Sequence, residues 1–260
     1  MPETPVETDI SGGIARITLN RPEKLNAITR KLIVSLRDAI ENAVDDESVR
    51  VLSLTGAGRG FCAGQDLSER DPRKLDGPLD LESLQKELYH PVVLTLAETH
   101  KPVVACVNGV AAGAGAAIAL AADIVIANED APFAFSFARV GLSVDAGLGR
   151  ILARALGPAR AKALLLQGGA LSGRAAADAG LIWKAVPADQ LFDEHAALLD
   201  RLAGSSTMAM AGIKTAVAAA GLPLDEYLQV EAKAQGQAGR HPDYAEGVLA
   251  FLEKRKANFY

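Results

Sequence analysis

The chain has little cysteine, few aromatic residues and no excess of positive charge, and each shortage removes a class of protein. Cys62 and Cys106 are the two cysteines. They have no metal-ligand spacing and no companion histidine cluster, which argues against a zinc site or a disulfide-stapled fold and suits a reducing compartment. Lys plus Arg number 27 against 32 Asp plus Glu, a formal net charge of −5 with no basic block. Nucleic acid is therefore not an expected partner. The segment Met1-Pro2-Glu3-Thr4-Pro5-Val6-Glu7 lacks the basic flank and apolar run of a signal peptide, so a cytoplasmic location is expected. One charge-free stretch, Pro102 to Ala122, has the ~20 residues needed to cross a bilayer. It consists of Ala, Gly and Val punctuated by Asn108, Gly109, Gly113 and Gly115, so it reads as a buried strand, turn and helix, and no membrane partner is expected.

Familiar nucleotide and nucleophile signatures are also missing. Gly113-Ala114-Gly115-Ala116-Ala117-Ile118 partly matches a dinucleotide fingerprint, but the acidic residue ~20 positions later is absent, since Asp123 comes too early. Gly141-Leu142-Ser143-Val144-Asp145 lacks the closing glycine of a serine elbow. The histidines at 90, 100, 195 and 241 are scattered and read as surface or capping residues.

What is present is a 260-residue chain, 49% hydrophobic, able to bury a sizeable core. Val6 to Ile10 and Ile14 to Leu19 flank Ser11-Gly12-Gly13 as a hairpin. Thr29 opens a helix whose apolar residues Leu32, Ile33, Leu36, Ile40, Ala43 and Val44 share one face. Strands are expected at Val51 to Leu54, Pro102 to Val107, Ile124 to Ala127 and Phe133 to Phe135, and a helix over Leu84 to Glu98. Ser68 to Leu79 is charged and contains proline, the pattern of a mobile or solvent-facing excursion. From Gly149 the signals are mostly helical, interrupted by the apolar run Leu181 to Val186 that holds Trp183 as a core residue, with three more amphipathic segments after it. This organisation predicts an α/β core over residues 1–200 and a helical C-terminal region over 201–260.

Two separated segments place a tight glycine turn soon after an apolar strand: Gly60-Phe61-Cys62-Ala63-Gly64-Gln65-Asp66-Leu67 and Val107-Asn108-Gly109-Val110-Ala111-Ala112-Gly113-Ala114-Gly115. Two backbone N–H donors converging from such turns would form an oxyanion hole. Close helix–sheet packing accounts for the small residues equally well.

With these segments go Asn20-Arg21-Pro22-Glu23-Lys24-Leu25-Asn26-Ala27, Lys101-Pro102-Val103-Val104-Ala105-Cys106, Ala122-Asp123-Ile124 and the C-terminal Phe251 to Phe259. In this order they resemble the crotonase superfamily, the enoyl-CoA hydratases and isomerases, over essentially the whole chain. The resemblance implies a spiral of β-β-α turns with a helical trimerisation region, assembled as a trimer or a dimer of trimers. It implies an acyl-CoA thioester as substrate, no metal, and no cofactor beyond the coenzyme A moiety. It assigns the two oxyanion-hole amides to Gln65 and Ala114. It assigns CoA contacts to Leu25, Ala27, Ala63, Asp66 and Leu67, with Phe251 and Lys254 reaching the adenine end from a neighbouring subunit.

The chain departs from the hydratase pattern. The two hydratase glutamates match Ala117 and Phe137 here, and neither residue can transfer a proton. A carboxylate stands instead at Asp145, where isomerases and a dehalogenase branch of the family carry an aspartate. Asp145 reads either as an acid/base in an apolar pocket lined by Phe135, Phe137 and Leu142, or as the N-cap of the helix that follows. The expected activity is acyl-CoA isomerisation through a thioester enolate, of an enoyl double bond or a ring epoxide. The alternatives are a hydratase using a loop carboxylate, Glu69 or Asp71, and an inactive CoA-thioester-binding protein. Cys62 reads as a packing residue rather than a nucleophile.

Overall fold

A computed structural model describes residues 4–259; Tyr260 and Met1 to Glu3, part of the segment read above for a signal, lie outside the described residues. The hairpin forms as expected, with β1 (Val6–Ser11) antiparallel to β2 (Ile14–Leu19). Thr29 then caps α1 (Arg30–Asp45), its hydroxyl accepting from Leu32 N at 3.2 Å. The face of α1 carrying Leu32, Ile33, Leu36, Ile40 and Ala43 is buried, as its spacing predicts.

From there the chain winds as a spiral in which each turn contributes one strand to each of two sheets. The pairs are β3 (Val51–Gly56) with β4 (Gly60–Cys62), β5 (Val103–Val107) with β6 (Val110–Ala112), and β7 (Ile124–Asn128) with β8 (Pro132–Ala134). A last turn adds β9 (Ala170–Ser172) and β10 (Lys184–Val186). The larger sheet runs β1-β2-β3-β5-β7-β10 and the smaller β4-β6-β8-β9, parallel except at β1/β2 and β8/β9. The turn between β5 and β6 is tied to the one before it by Asn108, whose Nδ2 donates to Gly56 O and Gly58 O at 2.9 Å each. This is the α/β spiral expected from the sequence.

Helices fill the spiral and cover it. Between the β3/β4 and β5/β6 turns run α2 (Leu81–Leu84), a π-turn at Gln85–Tyr89, and α3 (His90–Glu98), one continuous helical stretch. The charge-free stretch resolves as β5, β6 and the short buried α4 (Ala114–Leu120). A Cβ on Gly115 would stand 2.4 Å from Cys62 O, so α4 lies directly on the backbone of β4. No helix among the described residues is long and apolar enough to cross a membrane. Further along come α5 (Leu148–Leu156), α6 (Pro158–Gln167) and α7 (Gly173–Asp178). Then α8 (Leu191–Ala203) packs Leu198 and Leu199 on Ile14, Val51 and Val104 of the larger sheet.

Three helices, α9 (Thr207–Ala218), α10 (Leu224–Arg240) and α11 (Pro242–Leu252), complete the C-terminus. Lys214 of α9 holds them to the core, pairing with Asp123 at 2.5 Å and donating to Lys101 O at 2.9 Å. They leave Ile213, Val217, Leu224, Phe251 and Leu252 exposed.

Three sequence expectations are corrected. Four helices rather than three follow Val186, because α8 belongs to the core and precedes the other three. Trp183 is 53% exposed beside Lys184 rather than in the core, since only Lys184–Val186 of its apolar run pairs as a strand. His195 is neither surface nor cap: it is buried between α8 and the sheet, its Nε2 3.1 Å from Ser53 Oγ.

Burial, reinforced by the charge of Arg16, pushes the His195 imidazole down to about 4. The folded state therefore binds its proton less readily than the unfolded chain, so stability contributed by neutral His195 is present above an unfolded value near ~6.5 and is lost as pH falls toward 4. The loss is at most ~3 kcal/mol. Urea unfolding between pH 7.5 and 4.5 is expected to show this decline, and His195→Gln, which cannot titrate, flattens that part of the curve.

Candidate active site

The site grows from a buried asparagine. Asn26 is fully buried, and it and the preceding Leu25 are left-handed (φ 56° and 49°). The Asn26 Nδ2 donates to Ala57 O at 3.0 Å and Gly60 O at 2.8 Å, while its Oδ1 accepts from Arg21 N at 2.8 Å. The segment is thereby laid against β4, and Leu25 O accepts from Ala63 N at 2.9 Å. Ile28 then pairs with the residues on either side of Gln65: Ile28 N donates to Gly64 O at 2.7 Å, and Asp66 N donates to Ile28 O at 2.9 Å. In a parallel pairing of this kind the N–H of the middle residue points the other way. The Gln65 amide thus turns away from Ile28.

The second amide arrives from the next spiral layer. Gly64 (φ 86°) is pressed so closely on that layer that a Cβ would lie 2.7 Å from Ala112 O. Gly113 (φ 50°) caps α4, which makes Ala114 the first helical residue, and its N–H has no intrahelical acceptor. Both expected oxyanion positions therefore lie on neighbouring backbone turns. Cys62 beneath them donates its Sγ to Asn26 O at 3.2 Å, and burial pushes its thiol up to about 12, so it is the packing residue expected.

Asp145 is not a helix cap. Its main-chain oxygen accepts from Leu148 N at 3.0 Å, but Gly147 occupies the N-cap of α5 and the Asp145 side chain turns elsewhere. Ala146 and Gly147 are both left-handed (φ 48° and 77°), a tight turn that aims the carboxyl at the preceding helical stretch. There Asp145 Oδ2 accepts from Gln85 Nε2 at 2.6 Å. The pair lines a cavity of 540 Å³ together with Leu142, Val144, Arg70 and His90. The lining expected around Asp145 is corrected: Leu142 stands on the wall as expected, but Phe135 and Phe137 do not line the cavity, and the side chains of Arg70, Gln85 and His90 do. Phe137 instead sets its ring beside Gly113, and Ala117 is fully buried in α4. Burial pushes the Asp145 carboxyl above the ordinary range, against the opposing pull of Arg70, the Gln85 hydrogen bond and His90.

Arg70 links the two parts of the site. It lines the Asp145 cavity and a second one of 290 Å³ beside Gln65, and its Nη2 donates to Gln65 Oε1 at 3.0 Å. Tyr89 also donates to Gln65 Oε1, and burial holds its phenol protonated by pushing it up to about 12. The segment after Leu67 is thus not wholly a solvent-facing excursion, since Arg70 turns inward. Glu69 accepts from Arg30 N at 3.0 Å and Asp71 is paired with Arg73 at 2.8 Å, so neither reaches Asp145's cavity wall.

Leu25, Ala27, Ala63, Asp66 and Leu67 cluster around the Gln65 turn, with Leu67 exposed. The Asp66 carboxylate is engaged by Ser68 and, at 3.2 Å, by Arg21, which hold it below its usual range. Phe251 lies in the last turn of α11 and Lys254 in the turn that follows it, and Phe251 lines a separate cavity among α9, α10 and α11. Among the described residues no three His, Cys, Asp or Glu side chains converge as a metal site would require. Sequence reasoning missed Gln85, Tyr89 and the inward turn of Arg70. Its available signal was the pair Gln85 and Tyr89, four apart and polar-tipped on an otherwise apolar helix face.

Comparison with known proteins matches nearly the whole chain. Residues 9–260 fit the family described as enoyl-CoA hydratase/isomerase. The chain is 43% identical over 251 residues to 1,2-epoxyphenylacetyl-CoA isomerase of Escherichia coli K12, covering 96% of each chain. It is also 43% identical over 257 residues to a Rhodobacter capsulatus protein named a probable enoyl-CoA hydratase, covering 98% of this chain and 97% of that one. A crystal structure from Mycobacterium abscessus, assigned to the enoyl-CoA hydratase/isomerases, superposes with a TM-score of 0.93 at 36% identity, covering 98% of this chain and 99% of the other. With two sheets wound as the same spiral and sequence identity along its length, the chain belongs to the enoyl-CoA hydratase/isomerase family.

Proposed function

We propose that this protein is an acyl-CoA isomerase that works through a thioester enolate, with Asp145 as its acid/base and the Gln65 and Ala114 amides as its oxyanion hole. The observation that carries the reading is the Asp145 carboxyl, desolvated in a cavity and held by a neutral amide, while Ala117 and Phe137 occupy the positions of the hydratase glutamates. For a 3-enoyl thioester, Asp145 removes a proton from C2, charge moves onto the thioester oxygen where the two N–H groups receive it, and the protonated carboxyl returns a proton to C4. The double bond moves, the carboxylate is regenerated and no water is consumed. A ring epoxide next to the same thioester is the second substrate class the reading accommodates, and similarity to the Escherichia coli isomerase supports it.

Coenzyme A is proposed to lie along Leu25, Ala27, Ala63, Asp66 and Leu67. Phe251 and Lys254 are proposed to complete its far end from a neighbouring copy, because in its own protomer Phe251 lines a separate cavity. A homotrimer or dimer of trimers built on the exposed apolar residues of α9 to α11 is part of the same proposal. No cofactor beyond the coenzyme A moiety enters the reaction as proposed.

Isomerisation of a 3-enoyl-CoA in deuterated water, followed by mass spectrometry, tests the base directly. Wild type is expected to shift the double bond with deuterium uptake, and Asp145→Asn to lose at least ~10²-fold in kcat. Hydration of a 2-enoyl-CoA without migration would instead favour the hydratase reading, and inactivity with tight thioester binding the binding-protein reading.

Gly64→Ala forces a side chain into the 2.7 Å gap at Ala112 O and displaces the Gln65 amide. A kcat loss of ~10² to 10³ is expected, the cost of one oxyanion donor in other enzymes. Retention of full activity would remove Gln65 from the hole.

Stability gives an independent check. Because burial raises the folded-state value of Asp145, its favourable contribution is present below an unfolded value near ~3.9 and is lost as pH rises through the folded one. Asparagine stays neutral throughout. Asp145→Asn is therefore expected to melt above wild type at pH 8, with the gap closing toward pH 4.

A further inference from the structure

Asp145 and Gln85 leave two buried acceptors without partners. Gln85 Nε2 donates to Asp145 Oδ2, but Gln85 Oε1 and Asp145 Oδ1 have no hydrogen-bond partner among the described residues. An ionised carboxylate only accepts, so it cannot satisfy an amide oxygen; a carboxylic acid gains one O–H donor and can. Buried acceptors left open are costly, and one added proton on Oδ1 supplies the missing donor. An amide is the side chain suited to such a partner, because it offers a donor to one form of the carboxyl and an acceptor to the other.

We propose that Gln85 is the positioning residue of Asp145, donating through Nε2 to the carboxylate and accepting through Oε1 from the carboxylic acid, so that one partner serves both halves of the proton transfer. The inference rests on Asp145 being the base. It explains why the helical stretch opens into a π-turn at Gln85: His90 N donates to Gln85 O five residues back, and the widened turn presents Gln85 to Asp145 and Tyr89 to Gln65 from one face. The other charged or titratable groups around the carboxyl are Arg70, His90, Tyr89 and the Glu82 and Lys86 pair, which are bound to each other at 2.5 Å. Among the described residues it is Gln85, and none of these groups, that is hydrogen-bonded to the carboxyl.

The test is a carboxyl titration by carbon-13 NMR on aspartate-labelled protein without substrate, the Asp145 resonance being the one absent in Asp145→Asn. Gln85→Met and Gln85→Leu remove donor and acceptor while keeping bulk, so one folded variant suffices. The Asp145 midpoint is expected to move up by about one pH unit, because the charge-assisted donor lost by the carboxylate outweighs the neutral acceptor lost by the acid. The acid limb of the kcat profile for a 3-enoyl-CoA follows it, with kcat down ~10-fold and KM within twofold. An unmoved midpoint, with isomerisation still lost in Asp145→Asn, overturns the role of Gln85 and leaves the base standing. Isomerisation that survives in Asp145→Asn overturns the base and this inference with it.

Discussion

The buried amide of Asn26 is the interaction on which the rest of the site depends. It spends its oxygen on Arg21 N and its two protons on Ala57 O and Gly60 O, in a place where no water competes. Each such bond is worth ~1 kcal/mol net, but leaving the three backbone groups unpaired in the interior would cost more. The asparagine therefore fixes the left-handed turn at Leu25 and Asn26 against β4, and with it the pairing of Ile28 around Gln65. The direction of the Gln65 N–H is set by a contact almost forty residues away in sequence. Gly64 does the corresponding work between layers, since only a residue without Cβ lets the Gln65 turn touch Ala112.

Two kinds of group are assembled by different rules. The amides of Gln65 and Ala114 are backbone atoms, so their position follows from the spiral and tolerates almost any side chain. Asp145 is a side chain whose chemistry comes from its surroundings. Burial raises its carboxyl, while Arg70, Gln85 and His90 hold that rise in check, and a base for carbon acids needs this balance. Full desolvation would leave it protonated and unable to accept; full pairing would leave it a weak base. Arg70 is shared with Gln65 Oε1, so the loop after Leu67 places one charge at both the Asp145 cavity and the cavity beside Gln65.

The sequence made the hairpin, α1 and the strands at Val51 to Leu54, Pro102 to Val107 and Ile124 to Ala127 legible, because their apolar spacing is local and matches the burial found. The Gln65 and Ala114 turns were legible for a different reason: glycine marks where the backbone must bend or approach. What was not legible depended on contacts across the chain. Asp145 preceding a helix has the local pattern of a cap, and only the left-handed Ala146 and Gly147 turn it toward Gln85. His195 sits on α8 facing Ser53 of the sheet that the helix covers, a contact across the chain that helix periodicity does not reveal. Trp183 reads as core from hydrophobicity alone, yet strand pairing begins one residue later.

The separation between backbone and side-chain chemistry also bears on why hydration is disfavoured in this reading. The hydratase positions are not vacant seats waiting for glutamates. Ala117 is fully buried in α4, where Gly115 already lies in contact with Cys62, so a longer side chain there meets a packed layer. Phe137 places its ring beside Gly113, next to the Ala114 turn, and presents apolar surface there. In the proposed mechanism an apolar ring at Phe137 leaves no second carboxylate to activate water, and the one desolvated carboxyl at Asp145 favours returning a proton to the carbon chain over adding hydroxide to it. In that mechanism the amides of Gln65 and Ala114 would serve isomerisation and hydration alike, and the groups above them would decide what becomes of the enolate.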